Sequence, residues 1–328
     1  TQNIQGYNLE IGITTDIEAT IKEEGEIVVS AKLFLDIVRR LPEEIVFIET
    51  DERMVTYIAC GKVNYQIVGM SSVEYPDLPS FEQTDRITLN AKILRDMIRQ
   101  TVYAVSENTA KPIYTGSLYE IEDGVFKIIA IDGYRMAIRS ENVDSESKNR
   151  FVVPGKTQHE VLKLLTDDEE NTEIIIGQRH ITFKIKNYRI ISRLIEGTFI
   201  EYKSAIPKET KTEVVINTRT IIDAVERMSL LNNDRIQSPV RCIFSDDEIK
   251  LSCTSAVGRA NDVISVPIIG ESVEIGFNNR YLLDALKNAD TDEIKLILNG
   301  SLTAMIVKPV KGDSYLSIVV PMRLANES

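Results

Sequence analysis

A pattern that recurs about every sixty residues constrains the fold of this chain more than any other feature of its sequence. Five segments each combine a short β-type run, a capping residue and an amphipathic helical stretch. The segments begin at Ile27, Ile87, Phe151, Val214 and Ile275, so the steps between them are 60, 64, 63 and 61 residues. Self-similarity at a nearly fixed period is the signature of an architecture built from repeated structural units. We therefore expect copies of one α+β unit along the chain.

The helical stretch of each copy carries the same local chemistry. Good N-cap residues precede four of the five stretches, namely Ser30, Asn90, Asn217 and Asn278, and Pro154 stands before the remaining one. Each stretch has a basic residue at its second position, an acidic residue four positions later and another basic residue three or four positions beyond that. Residues at these spacings share one stripe of a helix, and apolar residues fill the opposite side. The pattern predicts five helices that each bury one face and present charge on the other.

The segments between the helical stretches contain short β-type runs, separated by turn signals such as Asp123-Gly124 and Asn299-Gly300. One helix for every three or four strands is typical of an α+β unit. We expect β-α-β-β-β copies whose helices cover one face of antiparallel sheets. A further step of about sixty residues back from Lys32 falls before Thr1, so the chain is expected to begin inside a sixth copy and to lack its helix. Six copies pair into three similar domains, which we place at residues 1–80, 81–205 and 206–328, the first incomplete.

The distribution of charge sets the helices apart from the rest of the chain. The formal net charge is −12, from 38 basic and 50 acidic residues, which argues against a nucleic-acid binder of the usual basic kind. The five helical windows nevertheless hold 12 basic and 6 acidic residues, whereas the remainder carries a net charge of −18. For any one of these helices, an ordinary solvent-exposed face explains the basic residues. The same spacing of basic residues in five copies is better explained by a shared surface that contacts the phosphates of DNA. The acidic remainder of the chain would then repel DNA.

The basic residues of these helices lead to two alternative functions. The residues that we expect on a DNA-facing surface are Lys32, Arg39, Lys92, Arg99, Lys156, Lys163, Arg219 and Arg280. The other interpretation is an acidic repeat scaffold that binds proteins only, and it predicts no DNA-facing role for these residues. The matched basic stripe argues against the scaffold but leaves it open.

The sequence has no constellation typical of an enzyme. Its two histidines, His159 and His180, fall on a predicted helix and near a predicted hairpin turn, and the sequence contains no nucleophile elbow, phosphate-binding loop or dinucleotide fingerprint. Metal-ligand spacing is also absent, so neither a metal nor a cofactor is expected. Cys60, Cys242 and Cys253 are scattered, which is typical of reduced thiols in the cytoplasm. No apolar run approaches the roughly 18 residues of a membrane helix, and no membrane partner is expected.

Four stretches are specific enough to compare with known families. They are Ala130-Ile-Asp-Gly-Tyr-Arg-Met-Ala137, Gly197-Thr-Phe-Ile-Glu-Tyr202, Glu274-Ile-Gly-Phe-Asn278 and Val319-Val-Pro-Met-Arg-Leu324. In this order and spacing, and together with the repeat, they resemble the bacterial DNA polymerase III beta subunit family over essentially the whole chain. The resemblance implies a DNA sliding clamp: three-domain subunits that join head to tail as a homodimer and encircle double-stranded DNA without sequence preference. It also implies partners that bind through short peptide motifs, namely the replicative polymerase alpha subunit, the clamp loader, other polymerases and repair proteins, and no catalytic activity of its own.

The resemblance assigns further residues to two contact surfaces. Partner peptides would enter an apolar cleft between the second and third domains, at positions Tyr114, Gly133, Tyr134, Arg135, Met136, Ile200, Asn278, Tyr281, Leu302, Val320, Pro321, Met322, Arg323 and Leu324. The ring interface matches Tyr65, Ile67, Leu230 and Leu231, for which ordinary core is the competing interpretation. The chain departs from the family pattern at the cleft, because Ile131 stands where Thr is common and Ile200-Glu201 replaces Pro followed by Asp or Asn. The shape and peptide preference of the cleft are therefore left open.

Overall fold

The computed structural model describes residues 1–79, 85–166, 170–231 and 238–324. Within these residues, five α-helices lie where the repeat predicts them. They are α1 (Ala31–Val38), α2 (Ala91–Val102), α3 (Gly155–Leu164), α4 (Thr218–Ser229) and α5 (Asn279–Lys287). The side chains of Ser30, Asn90, Asn217 and Asn278 cap four of them, whereas Pro154 makes no side-chain cap, so the capping pattern read from the sequence is confirmed.

The strands follow the same repeat. In chain order they are β1 (Gln2–Tyr7), β2 (Ile11–Ile17), β3 (Val46–Thr50), β4 (Val55–Cys60), β5 (Val63–Val68), β6 (Asp85–Asn90), β7 (Gly116–Glu122), β8 (Val125–Ile131), β9 (Arg135–Asn142), β10 (Asn149–Pro154), β11 (Asn171–Ile176), β12 (His180–Ile185), β13 (Tyr188–Arg193), β14 (Thr212–Asn217), β15 (Val240–Ser245), β16 (Glu248–Ser255), β17 (Gly258–Ser265), β18 (Ile268–Gly270), β19 (Val273–Phe277), β20 (Glu293–Leu298), β21 (Met305–Pro309) and β22 (Tyr315–Val319). One strand before the helix and three after it form the predicted unit around α2, α3, α4 and α5. Before α1, the run predicted from Ile27 is reduced to one bridge between Val28 and Met70, and β18 is an addition to the repeat.

The described strands pair in an antiparallel sense and form four sheets. Their orders are β1-β2-β13-β12-β11-β6, β10-β7-β8-β9-β22-β21-β20-β14-β18, β17-β16-β15-β19 and β3-β4-β5. Two sheets continue from one predicted domain into the next, because β2 pairs with β13 and β9 pairs with β22. Backbone hydrogen bonds therefore connect the first domain to the second and the second to the third.

The helices pack on the sheets through the apolar faces that their sequences predict. In the second domain, Leu94 and Ile98 of α2 are buried in one core with Phe183 of β12. In the third domain, α4 and α5 contact each other and share a core with Phe244 and Phe277. Burial of an apolar side chain of this size contributes about 1.5–3 kcal/mol relative to exposure. The architecture is α+β, as the repeat predicts.

The first domain has a smaller core, and one of the residues assigned to the ring interface lies in it. Ile37 of α1 packs with Ile58 and Ile67 of the three-stranded sheet. Ile67 is only 6% exposed, so its side chain belongs to this core and leaves almost no surface for a second subunit. Its burial favours the competing core interpretation. A part for Ile67 in a subunit contact, assigned from the resemblance, stays a prediction.

Loss of one helix cap is predicted to destabilise the second domain. Oδ1 of Asn90 accepts hydrogen bonds from the backbone N–H groups of Lys92 (3.0 Å) and Ile93 (3.4 Å). Asn90→Ala removes this acceptor, and we expect the free energy of unfolding to fall by about 1 kcal/mol. Urea denaturation followed by circular dichroism measures the change. The control Asn90→Ser keeps a capping oxygen and should retain most of the stability; equal losses in both variants would contradict the capping argument.

Candidate functional site

The candidate cleft lies where β9 of the second domain pairs with β22 of the third. A tight turn leads into β9, in which Oδ1 of Asp132 accepts hydrogen bonds from the backbone N–H groups of Tyr134 (2.9 Å) and Arg135 (3.0 Å). Gly133 in this turn has a φ of +93°, a conformation that glycine adopts without steric cost. Tyr134 is 60% exposed, whereas Arg135 is buried. One turn thus supplies an outward aromatic ring and an inward cation.

Arg135 is held by groups from both domains. Its Nε donates to Oδ2 of Asp132 (3.0 Å), and its Nη1 donates to Oδ2 of Asp284 on α5. Its guanidinium carbon lies 4.6 Å from the ring centroid of Tyr281 and 5.5 Å from that of Tyr103. The two carboxylates compensate the buried charge, and the ring faces add cation–π attraction. Arg135 therefore connects the turn before β9 to a helix of the next domain.

Tyr281 forms an aromatic pair with Tyr134 across the same boundary. The ring centroids are 5.8 Å apart and the ring planes differ by 18°. Oδ1 of Asn278 caps α5 by accepting from the backbone N–H groups of Arg280 (3.0 Å) and Tyr281 (3.3 Å), which fixes the first turn of the helix that carries the ring. Burial raises the pKa of Tyr281 above its ordinary value. Its phenol is consequently neutral at physiological pH and offers a hydrogen bond rather than a charge.

The segment after β22 is tied to both domains through its backbone. The N–H of Val320 donates to the carbonyl of Tyr134 (2.9 Å), and the N–H of Met322 donates to the carbonyl of Gly276 on β19 (2.8 Å). A Cβ at Gly276 would lie 2.6 Å from Cδ2 of Leu324, so the lack of a side chain there permits the close approach. The segment therefore starts at Tyr134 of the second domain and runs along β19 of the third.

An apolar cluster lies under the nine-stranded sheet at this junction. Met136 is buried with Phe199, and the ring of Tyr114 meets that of Phe199 edge-on at 5.7 Å. Other predicted cleft residues leave apolar surface exposed: Ile200 (44%), Leu302 (82%) and Val320 (40%). Exposed apolar side chains beside a packed floor suit the apolar residues of a partner. A place in a partner-binding cleft stays a prediction for all fourteen of the assigned residues.

Polar contacts that the sequence did not reveal complete the junction. The hydroxyl of Tyr103 lies 3.0 Å from that of Tyr315 and 2.9 Å from that of Ser317, and Nε2 of Gln100 donates to the carbonyl of Asn288 (3.0 Å). Burial raises the pKa of Tyr103 to about 12, so this network is uncharged. No motif marks these residues, because their partners lie far away along the chain. Among the polar residues at the junction, only Asp284 belongs to a sequence pattern, because it is the acidic residue of the fifth repeat.

The predicted DNA-facing cations fall into two groups. Within the described ranges, Lys32, Arg39, Lys92 and Lys156 are exposed and form no ion pair. The other four pair with carboxylates: Arg99 with Asp290 (2.5 Å), Lys163 with Glu160 (2.8 Å), Arg219 with Asp223 (2.8 Å) and Arg280 with Glu107 (3.4 Å). Pairs this exposed contribute little, so their cations can exchange a carboxylate for a phosphate. Contacts of α2 with α3 bring the two helices of the second domain side by side, and contacts of α4 with α5 do the same in the third domain.

Two sheet edges carry the remaining predicted interface residues. β5 is an edge of the three-stranded sheet and β17 is an edge of the four-stranded sheet. Tyr65 on β5 is 36% exposed, and Leu230, which follows α4, is 83% exposed. Leu231 lies beside the start of β17, where a Cβ at Gly258 would be 3.7 Å from its Cδ2. Tyr65 and Leu230 thus present exposed apolar surface, whereas Leu231 packs partly on the third-domain core and Ile67 is buried. A place at the subunit contact stays a prediction for all four residues.

Other titratable candidates have structural explanations. His159 is exposed on α3, and His180 opens β12, where burial lowers its pKa. All three cysteines are buried and free, and burial raises the pKa of Cys242 to about 12, which keeps this thiol protonated. Among the described residues, no group of three or more His, Cys, Asp or Glu side chains is arranged to hold a metal. In the same part of the chain, no helix has the length and apolar character needed to cross a membrane.

Comparison with known families matches nearly every residue of the chain. The N-terminal, central and C-terminal domain models of the DNA polymerase III beta subunit match residues 1–79, 88–201 and 203–323.

Individual relatives agree with this match. A beta sliding clamp of Halalkalibacterium halodurans is 34% identical over 96% of this chain and 84% of its own length. The crystal structure of the DNA polymerase sliding clamp from Bacillus subtilis superposes with a TM-score of 0.95 at 31% identity, over 98% of this chain and 88% of that one. The DNA polymerase III subunit beta from Pseudomonas aeruginosa superposes with a TM-score of 0.93 at 26% identity, over 98% and 89%. The chain therefore belongs to the DNA polymerase III beta subunit family, the beta sliding clamps.

Proposed function

We propose that this protein is a sliding clamp that encircles double-stranded DNA and holds the replicative polymerase on it. The observation that carries the proposal is the segregation of charge: exposed cations lie on the repeat helices of a chain whose net charge is −12. A duplex along these helices would meet lysine and arginine side chains, while the acidic remainder would repel it. Affinity for phosphate rises steeply with the number of contacts, so a few weak contacts permit movement along DNA.

The ring is proposed to form from two copies joined head to tail. The edges β5 and β17 lie in the first and third domains, and each leaves backbone groups available for pairing with another chain. Tyr65 at one edge and Leu230 and Leu231 near the other supply apolar side chains for the same contact. A contact between two different surfaces closes into a ring when the rotation between subunits permits it.

The cleft at the β9–β22 junction is proposed to bind short peptides from partner proteins. The Tyr134–Tyr281 pair, the floor around Met136 and the segment 320–324 combine aromatic, flexible and backbone groups in one place. Methionine side chains adapt to different apolar partners, which suits a site that several proteins share. The proposed partners are the polymerase alpha subunit, the clamp loader, other polymerases and repair proteins.

Catalysis belongs to the partner and not to this chain. Membership in the beta sliding clamp family confirms the prediction that the protein is a processivity factor and not an enzyme. We place it in the cytoplasm, where its three buried thiols remain reduced.

A closed ring predicts retention that depends on DNA topology. We would load the protein onto nicked circular DNA with a clamp loader, wash in high salt and linearise half of the sample. The protein should stay on circles and leave linear DNA through its ends, because a topological link needs no ion pairs. Linear DNA with blocked ends is the control and should retain the protein. Equal retention on open linear and circular DNA would indicate ordinary binding, and binding to neither would favour the acidic scaffold.

Reversal of two helix charges is predicted to weaken binding to DNA. Lys92 and Lys156 are exposed and form no ion pair within the described residues. The double variant Lys92→Glu/Lys156→Glu should lower DNA affinity and reduce the slope of log K against log salt by about one for each lysine that no longer neutralises a phosphate. Fluorescence anisotropy with a labelled duplex at several salt concentrations measures both quantities. Lys208→Glu, an exposed site outside the helices, should change neither; equal effects would show that net charge alone is responsible.

Removal of one cleft ring is predicted to abolish most peptide binding. An array of overlapping peptides that covers the polymerase alpha subunit of the same organism identifies the peptide that binds wild-type protein most tightly. Tyr281→Ala should weaken that peptide by roughly tenfold or more, because buried aromatic residues dominate binding energy at such sites. Isothermal titration calorimetry measures the affinity. Tyr7→Ala, on an edge strand of the six-stranded sheet, serves as control. Unchanged binding by Tyr281→Ala would place the peptide site elsewhere.

A further inference from the structure

We infer that Asp284 on α5 is a positioning residue for the cleft, acting through Arg135 to fix the separation of the two cleft walls. The inference rests on the proposed peptide-binding role of the cleft. One wall is the turn 132–135, which carries Tyr134, and the other is the start of α5, which carries Tyr281. The ion pair between Arg135 and Asp284 spans both walls beside the stacked rings.

Asp284 differs from the acidic residue at the same position of other copies. Asp223 pairs with Arg219 in its own helix, and Asp36 pairs with Arg40 in its own helix. The Arg219 side chain is 76% exposed, whereas that of Arg135, the partner of Asp284, is 6% exposed. The acidic residue at this repeat position therefore forms a solvent-exposed ion pair within α4, but an ion pair with a buried arginine of the neighbouring domain in α5.

The surroundings of Arg135 make this pair its only charged link to the third domain among the described residues. Asp132, its other carboxylate, belongs to the same turn and cannot hold the turn against α5. The Tyr281 ring contributes cation–π attraction, which tolerates sliding of the cation over the ring face better than a hydrogen bond does. Loss of the Asp284 charge would leave Arg135 bound to its own turn and free to move relative to Tyr281.

The junction does not need Asp284 in order to fold. The β9–β22 ladder, the contact of Gln100 with Asn288 and the Tyr103–Tyr315 network remain when Asp284 is changed. A variant at Asp284 should consequently keep the domains together while it loosens the cleft. This separation of folding from positioning makes the inference testable.

The test compares Asp284→Asn, Asp284→Glu and the matched control Asp223→Asn in the full chain. All three alter the same repeat position, and the two Asn variants change the net charge equally. The probe is the array peptide that binds wild-type protein most tightly, measured by calorimetry, with circular dichroism melting as the check on folding. We expect Asp284→Asn to bind roughly tenfold more weakly, Asp284→Glu to lie between it and wild type, and Asp223→Asn to match wild type.

A double variant separates action through Arg135 from a direct or general effect. If Asp284 acts through Arg135, Asp284→Asn should cause no further loss in the background of Arg135→Gln. An equal additional loss there, or binding by Asp284→Asn within twofold of wild type, would overturn the inference. Should Asp284→Asn melt far below wild type, Asp284→Glu decides in its place, and wild-type affinity in that variant would overturn the inference as well. Absence of peptide binding by wild-type protein would instead overturn the proposed cleft function.

Discussion

Antiparallel pairing between strands of neighbouring domains is the interaction on which the rest of this structure depends. The ladders β2–β13 and β9–β22 satisfy backbone groups that would otherwise form open edges, and they fix the orientation of one domain on the next. The register also positions the residues of the proposed cleft. Val319 pairs with Arg135, so Val320, the next residue, reaches the carbonyl of Tyr134 and the chain then runs on to Gly276. The place of the proposed cleft follows directly from where one sheet crosses a domain boundary.

Polar contacts give this boundary its geometry, while apolar packing and the sheet stabilise it. On the helix side, the boundary is lined by the Tyr103 hydroxyl network, Gln100 and the buried cation of Arg135. Buried ion pairs and hydrogen bonds add little net stability, because desolvation offsets most of their attraction. A displaced arrangement would leave the same groups unpaired, at a cost of about 1–3 kcal/mol for each neutral group and more for a charge. Such contacts therefore select one relative orientation of the two domains.

The helices and their caps could be predicted from the sequence because both depend on residues within one or two turns. The proposed cleft rests on matching family positions and not on the repeat: Tyr134 and Tyr281, which the match places together, do meet. Side-chain partners distant in sequence could not be predicted, as Asp284 illustrates, because nothing local distinguishes it from Asp223. The sequence left Ile67 between core and subunit contact for a related reason. Alternation along a strand indicates which residues share a face, but not whether that face meets the core or another chain.

Helix α5 shows why the charges on the helices cannot be arranged for DNA alone. The first of its two cations, Arg280, is exposed and pairs with Glu107 of the second domain, while its acid, Asp284, pairs with Arg135 of the same domain. These two charges thus reach across the boundary of the proposed cleft, whereas Lys287 of α5 pairs with Glu226 inside the third domain, and Arg219 and Asp223 of α4 neutralise each other locally. A shift of the third domain relative to the second would therefore move a proposed DNA-facing cation and a wall of the proposed cleft together. The two proposed surfaces share one rigid helix, and their relative placement follows from its contacts.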